Sequence, residues 1–149
     1  MTESAGPERL HVACPACHGV VRVPSDRLSD RPRCPRCKAP LFSGHPVELD
    51  PASFDAHVGR GDLPTVVDFW APWCGPCHAM APQFEAAAGR LESRFRFAKV
   101  NTDAAPALAA RFNIRSIPTL IVFRHGKPVA QQAGAMDAGA LARWLESVA

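Results

Sequence analysis

Apolar positions along the chain follow two different patterns. Val66-Val67-Asp68-Phe69-Trp70 is a short β-branched and aromatic run led in by Pro64, which predicts a buried central strand. Met80, Phe84, Ala87, Ala88 and Leu91 recur at helical spacing, predicting a helix from near Gly75 to about Ser93. Phe95 to Asn101 reads as a second strand, Ala105 to Phe112 as a short helix, and Leu120 to Phe123 as a third strand. His125-Gly126-Lys127 then turns into Pro128-Val129-Ala130-Gln131-Gln132. The last segment, Asp137 to Val148, opens on an Asp N-cap and carries Leu141, Trp144, Leu145 and Val148 on one face. Strands alternating with helices predict an α/β sandwich around a central sheet, made mixed by the final hairpin.

Residues 1–46 read differently, rich in Pro and Arg and poor in periodic apolar runs. The chain is therefore divided into an N-terminal module, 1–45, and a larger α/β domain, 46–149. The recurring Cys-x-x-Cys pair is the repeated element in the sequence.

Composition narrows the class. With 47% hydrophobic and 21% charged residues, the chain has the balance of a globular protein. No apolar run approaches the ~20 residues that span a bilayer. Met1 to Glu8 is polar and acidic, without the basic start and apolar stretch of a secretory signal. A reducing cytoplasm is the expected compartment, and there cysteine pairs indicate metal or catalysis rather than structural disulfides. Residues 1–45 hold seven Lys/Arg against four Asp/Glu, and residues 46–149 hold ten of each. Four thiolates on one Zn²⁺ would cancel most of that N-terminal excess, leaving too little for a nucleic-acid footprint.

Cys14-Pro15-Ala16-Cys17 and Cys34-Pro35-Arg36-Cys37 are two Cys-x-x-Cys knuckles sixteen residues apart, within the zinc-site spacing. Two residues between ligands let a tight turn aim both sulfurs at one point. Two such turns complete a tetrahedron with Zn–S of about 2.3 Å. A piece of about 40 residues also needs such a staple, because it cannot bury enough apolar surface alone. The expected site is one closed, structural Zn²⁺ on Cys14, Cys17, Cys34 and Cys37. Two disulfides or four free thiols are the alternative that a reducing compartment disfavours. His11 and His18 have no place in a complete tetrathiolate and are expected at the surface.

The third pair, Trp73-Cys74-Gly75-Pro76-Cys77, follows a strand and opens a helix, the context of a redox dithiol. Unpaired N–H groups and the positive end of the helix dipole stabilise a thiolate at Cys74. Pro76 suits the first turn. Cys77, one turn on, can reach Cys74 as a disulfide, so Cys74 attacks and Cys77 resolves. Asp68, inside an apolar strand, is expected to be buried, with a raised pKa and a role as proton acceptor for Cys77. Lys99 in the neighbouring strand is the candidate partner that moderates the shift. Trp70 is expected in the core.

The run from Val67 to Cys77 resembles the active-site segment of the thioredoxin family. Ile114-Arg115-Ser116-Ile117-Pro118-Thr119-Leu120 resembles its cis-proline segment, and Gly134-Ala135 its late glycine. The resemblance covers about residues 46–149 and implies a thioredoxin fold. Preceded by the knuckles, the chain is similar to the family's zinc-bearing members. The resemblance further implies that Pro118 is cis and that the Ile117 backbone pairs with an extended substrate. Trp73, Gly75, Pro76 and Gly134 would complete a flat docking surface. The implied activity is reduction of disulfides in other proteins, with thioredoxin reductase as electron donor. No nicotinamide or flavin motif is present, so no organic cofactor is expected. A monomer that binds neither nucleic acid nor membrane is expected. His78 departs from the Lys or Arg usual after the second cysteine. The competing readings are a disulfide oxidase or isomerase, which would require export, and a redox-responsive zinc-ribbon binding module using the larger domain as a docking platform.

Overall fold

A computed structural model describes residues 8–148. The N-terminal module opens with strands β1 (Arg9–Ala13) and β2 (Val20–Pro24), paired antiparallel from Arg9 opposite Pro24 to Ala13 opposite Val20. The first knuckle is the turn of this hairpin. The second repeats it: Cys14 N–H donates to Gly19 O and His18 N–H to Cys14 O, while Cys34 N–H donates to Ala39 O and Lys38 N–H to Cys34 O. His18 and Lys38, each following a knuckle's second cysteine, take φ of 61° and 69°. The same left-handed kink thus ends both turns. Val12, Val21, Val23 and Leu41 close a small core around Cys14 and Cys34.

The larger domain is a five-stranded sheet in the order β3 (Val47–Leu49), β5 (Arg96–Asn101), β4 (Thr65–Trp70), β6 (Thr119–Arg124), β7 (Lys127–Ala133). The first three are mutually parallel, β6 runs antiparallel to β4, and β7 runs antiparallel to β6. Side chains alternate between faces, so the sheet makes two cores. Val66, Phe97, Leu120 and Val122 pack under helices α2 (Gly75–Leu91) and α4 (Ala138–Val148). Val67, Phe69, Ala98, Val100, Ile121 and Phe123 pack on the other face, against α1 (Phe54–Val58) and α3 (Pro106–Arg111). Every residue of β4 except Trp70 is buried, as its unbroken apolar run predicts for a central strand. Asp137 caps α4, its carboxylate accepting the Ala140 N–H at 2.8 Å. Pro82 lies within α2 on an exposed position, where the missing N–H is tolerated.

β1, β2, β3 and α1 go beyond the elements read from the sequence. β3 has three residues and α1 five, too few for either periodicity to register. Two other expectations are corrected. Trp70 is half-buried, because it ends β4 at the rim of the sheet. His18 is half-buried too, and its Nδ1 lies 3.0 Å from Nε2 of buried His57 in α1.

That histidine pair is one of several ties between the modules. Arg96, only 5% exposed, extends from the start of β5 into the ribbon, where Nη2 donates to Ala13 O at 2.9 Å and Leu41 O at 3.0 Å. Its guanidinium also sits 5.1 Å from the centre of the Phe42 ring. The Asp62 carboxylate accepts the His11 N–H at 2.6 Å. Gly61, beside this seam, packs its backbone on the end of α1, where a Cβ would stand 2.7 Å from His57 O.

Candidate functional site: a dithiol at a helix start and a four-cysteine cluster

Cys74 and Cys77 are joined as a disulfide at the N-terminus of α2, with Cα atoms 5.3 Å apart. β4 delivers the chain to this point and Ala71-Pro72-Trp73 carries it over the sheet edge. Cys74 is the N-cap, and its sulfur accepts the Cys77 N–H at 3.2 Å. An N–H that would be orphaned in the first helical turn therefore points at sulfur, which favours a thiolate there in the reduced state. Cys74 is 4% exposed and Cys77 2%.

Beside the disulfide lies the Ile117–Pro118 bond, which is cis, with Ile117 O 3.8 Å from Cys74 Sγ. Gly134, at φ 93°, donates its N–H to Pro118 O at 2.9 Å. Trp73 projects into solvent, 72% exposed, and its indole N–H reaches Asp103 Oδ1 at 3.3 Å. Trp73, Ile114, Arg115, Ser116 and Ile117 line a shallow cleft of about 180 Å³. A Cβ at Gly75 or Gly134 would touch nothing within 4 Å, so both glycines present open backbone. The structure thus brings Trp73, Gly75, Pro76, Ile117, Pro118 and Gly134 around the sulfurs.

Asp68 is 1% exposed, and neither carboxylate oxygen has a hydrogen-bond partner. Burial pushes its pKa up to about 7, against the opposing pull of Lys99 and with a further push from Glu48. Asp68 shares its sheet face with Val66, which packs with Met80 of α2. Cys77 is one helical turn before Met80 on the same stripe. The acid and the inner cysteine therefore belong to opposed surfaces of one core. Lys99 is in register with Asp68 on β5, and its ammonium lies 4.6 Å from the centre of the Trp70 ring. His78 turns back over the loop, Nε2 lying 2.6 Å from Pro72 O, with its ring edge-on to Trp70.

Residues 45–147 match the thioredoxin family. The chain belongs to it. Residues 13–39 match the thioredoxin 2 N-terminal zinc ribbon. Among relatives, thioredoxin C-3 of Corynebacterium nephridii is 39% identical over 91% of this chain and 92% of its own length. The thioredoxin of Porphyra purpurea is 46% identical over 63% of this chain and 88% of its own. The architecture is that of a thioredoxin domain behind a zinc ribbon. Its Cys74–Cys77 pair makes the chain a thiol–disulfide oxidoreductase.

In this thioredoxin the four ribbon cysteines converge, all Sγ atoms within 4.8 Å of one another. Cys14 Sγ is 3.6 Å from Cys37 Sγ, and Cys17 Sγ is 3.8 Å from Cys34 Sγ. A tetrahedron of Zn–S bonds near 2.3 Å has edges of about 3.8 Å, so the donor set fits Zn²⁺ by size as well as by softness. The thiols also divide electrostatically. The Cys37 N–H brings Cys34 down to about 7. The Ala39 N–H pulls Cys37 down, but loss of water around the thiol and the hydrogen bonds of the other three thiols together outweigh it and push Cys37 up to about 11. Four such groups ionise together only around a cation. No helix among the described residues is long and apolar enough to cross a membrane.

One site residue escaped the sequence reading. Glu48 on the edge strand accepts the Trp70 indole N–H at 3.3 Å and stands in register with Lys99. The signal available was the alternation Val47-Glu48-Leu49, a strand pattern too short to carry weight alone.

Proposed function

We propose that this thioredoxin is a general reductant of disulfides in other proteins, working through Cys74 and Cys77. The observation that carries this reading is the pair itself: an N-cap sulfur facing an N–H, its partner buried behind it, under an open surface. In the reduced state the Cys74 thiolate attacks a substrate disulfide. One substrate sulfur leaves as a thiol and the other stays bonded to Cys74. The substrate strand lies along the Ile117 backbone, with Trp73, Gly75, Pro76, Pro118 and Gly134 around it. Asp68 then takes the proton of Cys77, and the resulting thiolate attacks Cys74 Sγ, expelling the second substrate thiol. Two electrons and two protons pass to the substrate, and the Cys74–Cys77 disulfide remains. Lys99 moderates the charge of Asp68. Thioredoxin reductase is the partner that returns the dithiol.

Cys14, Cys17, Cys34 and Cys37 hold one structural Zn²⁺. With four thiolates there is no open position, so the metal's contribution is to fold the ribbon and no electron passes through it. A monomer working in the cytoplasm completes the reading. The test is reduction of insulin by the zinc-loaded protein with NADPH and a thioredoxin reductase, beside Cys74→Ser. Turnover that vanishes in the variant is expected. No turnover by the wild type, with Cys74 shown to be reduced, would overturn the reading and favour a docking module.

A further inference from the structure

Three strands contribute one ionisable side chain each to a single row across the sheet. In the parallel register Glu48 of β3 stands beside Lys99 of β5, and Lys99 beside Asp68 of β4. In-register residues of neighbouring parallel strands project from the same face. Trp70, two residues after Asp68, shares that face. Its N–H is held by Glu48 Oε2 at 3.3 Å, and its ring lies under the Lys99 ammonium at 4.6 Å. The ammonium is thus seated over the indole, on the strand between those that carry the two carboxylates, and Asp68 keeps both oxygens without a hydrogen-bond partner.

The other groups that could set the state of Asp68 are few. From α2, Cys77 lies one turn before Met80 on the buried stripe, and His78 stands edge-on to Trp70. Leu120, opposite Asp68 on β6, and Leu141 and Leu145 of α4 line the same core and carry no charge. Glu48 itself is an exposed residue of the edge strand. Its upper side borders a groove against the ribbon, which Pro15, Ala16 and His18 of the first knuckle also line. Loss of water there raises its pKa, with the Trp70 hydrogen bond and Lys99 opposing.

We propose that Glu48 is a positioning residue for the thiol chemistry: from the far strand of the row it fixes Trp70 and draws on Lys99, and so sets how readily Asp68 accepts the proton of Cys77. An ionised Glu48 claims part of the single ammonium and adds a like charge. Both effects keep Asp68 a base matched to neutral pH instead of a permanently ionised partner of Lys99. The inference rests on the disulfide-reductase reading and adds to it the group that tunes the acid from the ribbon side of the domain.

The test compares the zinc-loaded full chain with Glu48→Gln and Glu48→Asp. Gln keeps an oxygen for the Trp70 N–H and removes the charge, and Asp restores the charge. The Asp68 carboxyl carbon is followed by NMR against pH in the oxidised protein, where Cys77 cannot titrate. Glu48→Gln is expected to lower the Asp68 midpoint by roughly half a pH unit, the effect of a unit charge two strand spacings of about 4.8 Å away and partly screened by water. The pH profile of insulin reduction should move the same way, and Glu48→Asp should restore both. A midpoint unmoved by Glu48→Gln, or lowered equally by Glu48→Asp, overturns the inference while leaving the reductase reading intact. Failure of the wild type to reduce insulin, with the midpoint still moved by Glu48→Gln, removes the reductase reading and leaves the coupling of the row standing.

Discussion

Replacing Asp68 by Asn should stabilise this thioredoxin, and by an amount that depends on pH in a defined way. The carboxyl titrates near 3.8 in the unfolded chain and at about 7 when buried in the fold. Below the lower value it is protonated in both states and has no effect on the balance. Between the two values the unfolded chain releases a proton that the folded chain retains, so stability falls as pH rises. Above the upper value the penalty is complete. At about 1.4 kcal/mol per pH unit over about three units, it reaches about 4 kcal/mol. Asn is nearly isosteric and carries no such slope. The assay is urea denaturation of oxidised wild type and Asp68→Asn at about pH 4 and about pH 8.5, which span nearly all of that window. The advantage of the variant should grow by about 3–4 kcal/mol between the two conditions. The comparison must be between proteins, because His57 tilts the wild-type curve the other way. Burial lowers His57 to about 3, with Arg96 and His18 adding to the shift, so its contribution rises with pH from about 3 to the ordinary histidine range. A difference that stays flat from acid to alkaline pH would refute the claim that Asp68 titrates abnormally in the fold.

Two further outcomes follow from the ribbon. Arg96→Met should cost about 3 kcal/mol in denaturant unfolding, because the Ala13 and Leu41 carbonyls are backbone and lose a charged donor that methionine cannot replace; an unchanged midpoint would show that the guanidinium is not a clamp. The purified chain should carry one zinc per molecule by metal analysis, and chelation should abolish hydrogen-exchange protection in β1 and β2 while β4 and β6 keep theirs; a hairpin still protected without metal would mean that its small core folds unaided.

The parts legible in the sequence share one property: they are local. The buried run of β4, the stripe Met80-Phe84-Ala87-Leu91 of α2, and the two cysteine spacings each depend on residues a few positions apart. The dithiol is legible for the same reason, since strand, turn and helix start are consecutive. The seam between the modules was not. Arg96 donating to Ala13 spans 83 residues, and His18 meeting His57 spans 39. No periodicity carries such separations. The row Glu48–Lys99–Asp68 needed the register of three strands, which spacing along one chain leaves undetermined. Trp70 was misplaced because strand membership implies burial only away from the rim.

The seam also bears on how this protein can be taken apart. Its contacts include those of His11, Ala13, His18 and Leu41 on one side with His57, Asp62 and Arg96 on the other. The latter three lie within the thioredoxin domain and are spread from α1 to β5. The ribbon is therefore not a cassette that can be moved by cutting near residue 45. A chimera that joins it to another thioredoxin domain must carry Arg96, His57 and Asp62 across with it. A truncation that discards the ribbon leaves a guanidinium and an imidazole facing water where the fold had arranged for them to be dry.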